Sequence, residues 1–214
     1  MSKTIKNSLS IEKLNFFIKN DLIKKKNLNI LEFGVHAGIS TKLFLQIIRR
    51  NKGKLISVDT VNYKHLFKDK NWFFLNCRDD NFKYINKFIN KKFDLIYLDT
   101  QHNEKHIKKI FKYYFNFLKV GGIFLIDDIF WLPYIKGGYR DNFNIEINNR
   151  ESFAGVMEIY NSNYDKIDMI LTPKHTGMVK FIKLKDKKLN FFKKIKSREF
   201  SLKNYVRKIR NLLI

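Results

Sequence analysis

Asn29-Ile30-Leu31-Glu32-Phe33-Gly34-Val35-His36-Ala37-Gly38-Ile39-Ser40-Thr41 decides the fold: an apolar run, two glycines four residues apart, then the beginning of a helical pattern. The chain holds nine glycines in 214 residues. A pair of them bracketing a strand end marks a place where the backbone turns tightly or lets a ligand approach. Strand ends of this kind are where open α/β sheets bind nucleosides.

The glycine spacing narrows the choice of nucleoside. A dinucleotide site requires Gly-x-Gly-x-x-Gly, so that a pyrophosphate rests on the helix N-terminus. Counting from Gly34, the second and third glycine positions hold His36 and Ile39, and the next glycine is Gly38. What remains, acidic-x-Gly-x-x-x-Gly, suits a ligand without a diphosphate. S-adenosylmethionine (SAM) fits, with its ammonium drawn to Glu32 directly or through water. An ordinary strand-to-helix turn is the competing reading, and an NAD-dependent oxidoreductase is disfavoured by the same spacing.

Working outward, apolar strand candidates at 29–34, 54–59, 71–76, 93–99 and 122–127 alternate with helical patterns up to about Arg50, near 81–90 and over 104–118. That rhythm predicts a parallel sheet built from right-handed crossovers. Ile11, Leu14, Phe17, Ile18 and Leu22 have helical spacing, with Ser10 as the expected N-cap. Gly121-Gly122 is expected to close the helix before the strand at 122–127. A helix around 150–160 precedes two segments, 165–171 and 177–184, that read as an antiparallel pair. The expected division is an N-terminal helical cap over 1–28, a nucleoside-binding domain over 29–184 and a basic amphipathic helical tail over 185–214.

The polar residues gather at the strand ends. Asp59 closes its strand beside the glycine loop, where a carboxylate can accept ribose hydroxyls. After the strand at 71–76, Asp79 is the better candidate for an adenine edge, and Asp80 a candidate helix cap. Asp99 and the pair Asp127-Asp128 end neighbouring strands and share one mouth. Two like charges about 4 Å apart repel by roughly 4 kcal/mol at an effective dielectric near 20. Either a cation sits there or one acid is protonated. A hard divalent ion such as Mg²⁺ resolves the conflict, provided the strand has already turned by Asp128, since consecutive strand residues point to opposite faces. His102, three residues past Asp99, is placed to act as a general base. The aromatic, double-glycine segment 130–140 reads as a substrate lid or a plain surface loop.

Composition bounds the rest. The length suits one α/β domain with small appendages. No apolar run is long enough to cross a bilayer, and the first residues lack a secretory signal, so a cytoplasmic protein, soluble or peripheral at a membrane, is expected. Cys77 is the single cysteine, which excludes an internal disulfide and agrees with a reducing compartment. A net charge of +23 invites a nucleic-acid reading. The lysines are spread along the chain, however, and the abundance of Lys, Asn, Ile, Phe and Tyr matches an AT-rich coding bias, so nucleic acid is not the expected partner. In the tail, Leu202, Tyr205, Val206, Ile209, Leu212 and Leu213 share one helical face, with Lys203, Arg207, Lys208 and Arg210 on the others. Such a helix lies on an anionic membrane, caps a partner subunit such as a second copy, or packs on its own domain.

Glu32-x-Gly34-x-x-x-Gly38, Asp59, DLIYLDTQH (94–102) and KVGGIFLIDDI (119–129), in that order, resemble the class I SAM-dependent methyltransferases. The likeness is strongest to the metal-dependent O-methyltransferases of the catechol and macrolide-sugar types. It implies a Rossmann-like three-layer α/β sandwich whose seven-stranded, mostly parallel sheet has order 3-2-1-4-5-7-6, with the last strand antiparallel. SAM would lie across the first two strand tips, at Glu32, Gly34, His36, Gly38, Ser40, Asp59 and Asp79. Asp99, Asp127 and Asp128 fall at the metal positions, where the catechol type has Asp, Asp and Asn. His102 stands where that type carries a catalytic lysine, so His102, Asp99 or the metal itself would activate the acceptor. The implied reaction is methylation of a hydroxyl on a small molecule, sugar or glycan. RNA methylation, or SAM binding without catalysis on the same fold, are the alternatives.

Overall fold

The computed structural model describes residues 3–22, 25–130, 136–138, 141–196, 198–199 and 201–212. Helix α1 (Lys3–Leu22) leads into β1 (Asn29–Phe33), α2 (Ile39–Asn51) and β2 (Lys54–Asp59). The chain continues through β3 (Trp72–Asn76), a short α3 (Phe82–Ile85), β4 (Phe93–Leu98), α4 (Glu104–Tyr114) and β5 (Leu118–Asp127). It closes with α5 (Phe143–Asn163), the strands β6 (Ile167–Thr172) and β7 (Met178–Lys183), and α6 (Leu202–Leu212). The sheet order is β3-β2-β1-β4-β5-β7-β6. Strands β1 to β5 pair in parallel, and β7 runs antiparallel to both neighbours, as the resemblance implied.

Strand parity sorts the core into two layers. Leu31, Phe33, Ile96, Leu98, Phe124 and Ile126 pack on one side with α4 and α5. Ile30, Leu95, Tyr97, Ile123 and Leu125 pack on the other with α1 and α2. Every residue of β4 is buried, as expected for a central parallel strand covered on both faces. Each of its buried aliphatic or phenylalanine side chains contributes about 1.5–3 kcal/mol on burial. The same parity carries Asp127, two residues past Leu125, onto the face that α1 covers.

Several local expectations are corrected. Ser10 lies inside α1 and is not its cap. Gly121 and Gly122 lie within β5 and do not end a helix; the pairing with β4 slips between Phe93 and Leu95, and the glycines occupy that irregularity. The helix expected near 81–90 is one α-turn followed by a 3-10 turn at Asn86–Phe88. Helix α5 extends well beyond 150–160 because Asn142 caps it, its side chain accepting from the Ile145 N–H at 3.1 Å. Of the lid candidate, residues 131–135 and 139–140 lie outside the described residues, as does Leu213 of the tail.

After β7 the chain returns along α5. Leu189 and Phe192 enter the core, the Asn190 N–H donates to Asn163 Oδ1 at 2.7 Å, and the Ile195 N–H donates to Glu158 Oε1 at 2.9 Å. Helix α6 follows this strap and has no buried residue.

Candidate functional site

The loop after β1 is shaped from within. Gly34 has φ +93°, and a Cβ there would stand 1.9 Å from the Asp99 carbonyl oxygen. Its glycine therefore answers the close approach of the β1 and β4 tips before it answers any ligand. His36 (φ +44°) and Gly38 (φ +72°) complete a left-handed turn. Asp59 pins that turn: Oδ2 accepts the N–H groups of Val35 at 2.8 Å and His36 at 3.3 Å, and Oδ1 accepts that of Val61 at 2.9 Å. A carboxylate offers about four acceptor sites, so capacity remains for a hydroxyl.

Two cavities meet at this turn. One, of about 270 Å³, is lined by Gly34, His36, Asp59, Asp79 and Asp99 among others. The second, of about 340 Å³, is lined by Gly34, His36, Ser40, Tyr97, Asp99 and Asp127 among others. Together they suit an elongated ligand bent around Gly34, with a diol end at Asp59 and a second polar end beside α2. Asp79 is mostly buried; its Oδ2 accepts the Thr100 hydroxyl at 2.6 Å and faces His106 Nε2 at 2.7 Å. That arrangement fixes the loop after β3.

Glu32 sits differently from the expectation. It is fully buried and does not line either cavity. Its carboxylate accepts the hydroxyls of Ser40 (2.5 Å), Ser57 (2.6 Å) and Thr41 (2.8 Å). Burial pushes its pKa up to about 7, against the pull of those three donors. Glu32 thus shapes the pocket by tying β1, β2 and the start of α2 together, and does not meet an ammonium itself. Ser40, through this bond, belongs to the same clamp.

The acidic mouth holds an unforeseen cation. Lys13 of α1, only 3% exposed, pairs with Asp127 Oδ1, reaches the Thr176 hydroxyl at 2.9 Å and lies 3.8 Å from Asp128. Although burial opposes it, the Asp127 and Asp128 carboxylates hold Lys13 above its ordinary pKa. Asp127 also accepts the Tyr97 hydroxyl at 3.0 Å on Oδ2 and the Asp128 N–H at 2.8 Å on Oδ1. Both its oxygens are therefore engaged inside the protein, and Asp127 is not among the groups whose ligand atoms converge at the mouth. Desolvation, then Asp127 and Asp128, push Asp99 well above the usual carboxylate range.

Asp128 adopts φ +53°, so the chain has left the strand and turned its side chain toward the mouth. His102 Nε2 lies 3.6 Å from Asp128 Oδ2 and 3.7 Å from Asp99 Oδ1. Among the described residues, one ligand atom each from Asp99, His102 and Asp128 lie within 4.8 Å of one another. The two carboxylates supply hard ligands for a divalent cation, and His102 stands beside them. Lys13, Thr176 and Tyr97 were missed in the sequence. Lys13 carried one signal, since it lies four residues before Phe17 on the apolar side of its helix.

Residues 31–129, which contain every one of these strand-tip residues, match a family model described as a methyltransferase domain. By this match, residues 31–129 carry a methyltransferase domain. Among solved structures, this methyltransferase fold is shared with MycE of the mycinamycin pathway in complex with Mg and SAH, at 16% identity and a TM-score of 0.60. That match covers 84% of this chain and 55% of MycE, so the chain spans little more than half of that protein's length. A proposed caffeoyl-CoA O-methyltransferase from Staphylococcus aureus matches at 17% identity and TM-score 0.54, covering 82% of each chain. A proposed rRNA methylase from Clostridium thermocellum matches at 13% and 0.56, covering 87% of this chain and 99% of that one. At such identities the likeness speaks for the fold. No curated protein matches the chain.

Proposed function

We propose that this methyltransferase transfers a methyl group from SAM to a hydroxyl of a small molecule or sugar, assisted by a divalent cation such as Mg²⁺ and working in the cytoplasm. The observation that carries this reading is the convergence of Asp99, His102 and Asp128 beside the cavity that runs past Gly34. Bound SAM would supply an electrophilic methyl, and a bound cation would lower the pKa of an acceptor hydroxyl.

The chain's own residues do the rest. Asp59 and the turn it pins hold the nucleoside end, and Glu32 keeps that turn in place through three hydroxyls. Asp99 and Asp128 are the carboxylates that would hold the cation. His102, against both of them, takes the acceptor proton on Nε2 as general base. Lys13 keeps Asp127 neutralised and oriented, so that the mouth carries fewer uncompensated charges. Holding acceptor and donor in line within one crevice accounts for much of the expected rate gain.

Calorimetric titration with SAM, with and without Mg²⁺, tests the reading together with methyl transfer to hydroxylated acceptors. SAM binding, turnover that rises with Mg²⁺, and loss of both turnover and Mg²⁺ response in Asp99→Ala support it. SAM binding with no turnover on any acceptor and no Mg²⁺ effect would favour a non-catalytic protein of the same fold. The charge of +23 supports a second reading, methylation of RNA. Transfer to total RNA that weakens steeply with salt would replace the hydroxyl reading with that one.

A further inference from the structure

Helix α6 leaves its apolar side uncovered. Leu202, Tyr205, Val206, Ile209 and Leu212 are each between 49% and 85% exposed. At about 100° per residue these five fall within an arc of roughly 120°, an apolar stripe. Arg210, Lys203 and Arg207 border it on one side and Lys208 on the other, and no acid lies on the helix. At about 1.5 Å per residue the helix is roughly 16 Å long, too short to cross a bilayer but well suited to lying in its surface.

The charge around the stripe indicates what covers it. Residues 187–212 contain ten Lys and Arg against one acid, Glu199. Phe191, on the strap that joins α6 to the domain, is 82% exposed and adds an aromatic side chain beside Lys193 and Lys194. Pairing two copies of α6 stripe to stripe would bring two sets of basic flanks together with no acid on either helix to offset them. An anionic bilayer supplies apolar depth for the stripe and negative charge for both flanks.

We propose that α6, with the basic strap before it, docks the methyltransferase domain on an anionic membrane surface. The surface is separate from the strand-tip crevice and stands or falls independently of the methyl-transfer reading.

Flotation of the full chain with phosphatidylglycerol-containing and with pure phosphatidylcholine vesicles tests it. The wild type is expected to float with the anionic vesicles and stay behind with the zwitterionic ones. Val206→Asp combined with Ile209→Asp should weaken anionic-vesicle binding at least tenfold, and Lys203→Glu combined with Arg207→Glu should do the same. Because all four side chains are exposed, thermal unfolding and SAM affinity should be unchanged in both variants. Failure of the wild type to float, or equal flotation of the Val206/Ile209 variant, overturns the proposal. So does a concentration-dependent dimer in lipid-free sedimentation that the Val206/Ile209 variant abolishes while vesicles remain unbound. RNA binding lost in the charge-reversed variant but kept in the apolar one, without vesicle binding, likewise assigns the surface elsewhere.

Discussion

Glu32 and Asp127 are both buried carboxylates on the α1–α2 side of the sheet, and they are satisfied in opposite ways. Glu32 is held by three neutral hydroxyls from β2 and the start of α2, close in the chain and in the fold. Asp127 is held by a full positive charge delivered by Lys13, 114 residues away. Burial raises that carboxyl's pKa to about 7 against the pull of its hydroxyl donors, so it titrates near neutral pH. A buried ammonium instead keeps its partner paired at the cost of desolvating two ions. The Glu32 clamp is a local device that shapes the loop, whereas the Lys13 pair locks the N-terminal helix onto the mouth of the site.

The contrast breaks most visibly at Lys13. Lys13→Met leaves Asp127 buried beside Asp99 and Asp128 without a counter-charge, and urea unfolding should register a loss of about 3–5 kcal/mol. Adding Asp127→Asn to that variant should restore most of it, and Mg²⁺ should raise the Tm of Lys13→Met more than that of the wild type. If Lys13→Met unfolds as the wild type does, Asp127 is not the charge Lys13 serves.

Glu32 should make stability depend on pH without involving the Lys13 pair. The folded protein holds the Glu32 proton more tightly than the unfolded chain. Its contribution is complete below the ordinary value of 4.5 and is lost as pH rises toward 7, by about 3 kcal/mol in all. Glu32→Gln should flatten that slope in denaturant titrations across the window. An unchanged slope would mean that the three hydroxyls stabilise the ionised form after all.

In the proposed mechanism Lys13 holds Asp127 and His102 transfers the proton. Steady-state turnover of His102→Ala should then fall about 10²-fold or more with the fold intact. Wild-type turnover would move the role to Asp99 or to the cation. The smallest expected effect is at Ser57, which also accepts the Trp72 indole N–H at 2.9 Å. Ser57→Ala should cost about 1–2 kcal/mol of stability and slightly weaken SAM binding.

Much of the scaffold was legible because burial repeats along the chain. Runs such as Asp94–Leu98 and Gly122–Asp127 name central strands, and their acidic ends name the crevice. Legibility failed where the same residue type serves two ends. A glycine at 34 suits a tight turn or a ligand's approach alike, and only the fold shows the Asp99 carbonyl of the adjoining strand standing where its Cβ would be. Gly121-Gly122 suits a helix terminus in sequence, but in the fold it marks a slip in strand register.

From the sequence alone came the alternation of strands and helices, the glycine turn that disfavours a dinucleotide, and the placing of Asp59, Asp99, His102 and Asp128 at strand tips, all consequences of short-range periodicity and backbone sterics. Which partners each carboxylate carries was decided only by the tertiary structure. The partners of Glu32 and Asp127 come from separate elements, and nothing local in the chain records that Lys13 crosses the sheet face to reach Asp127.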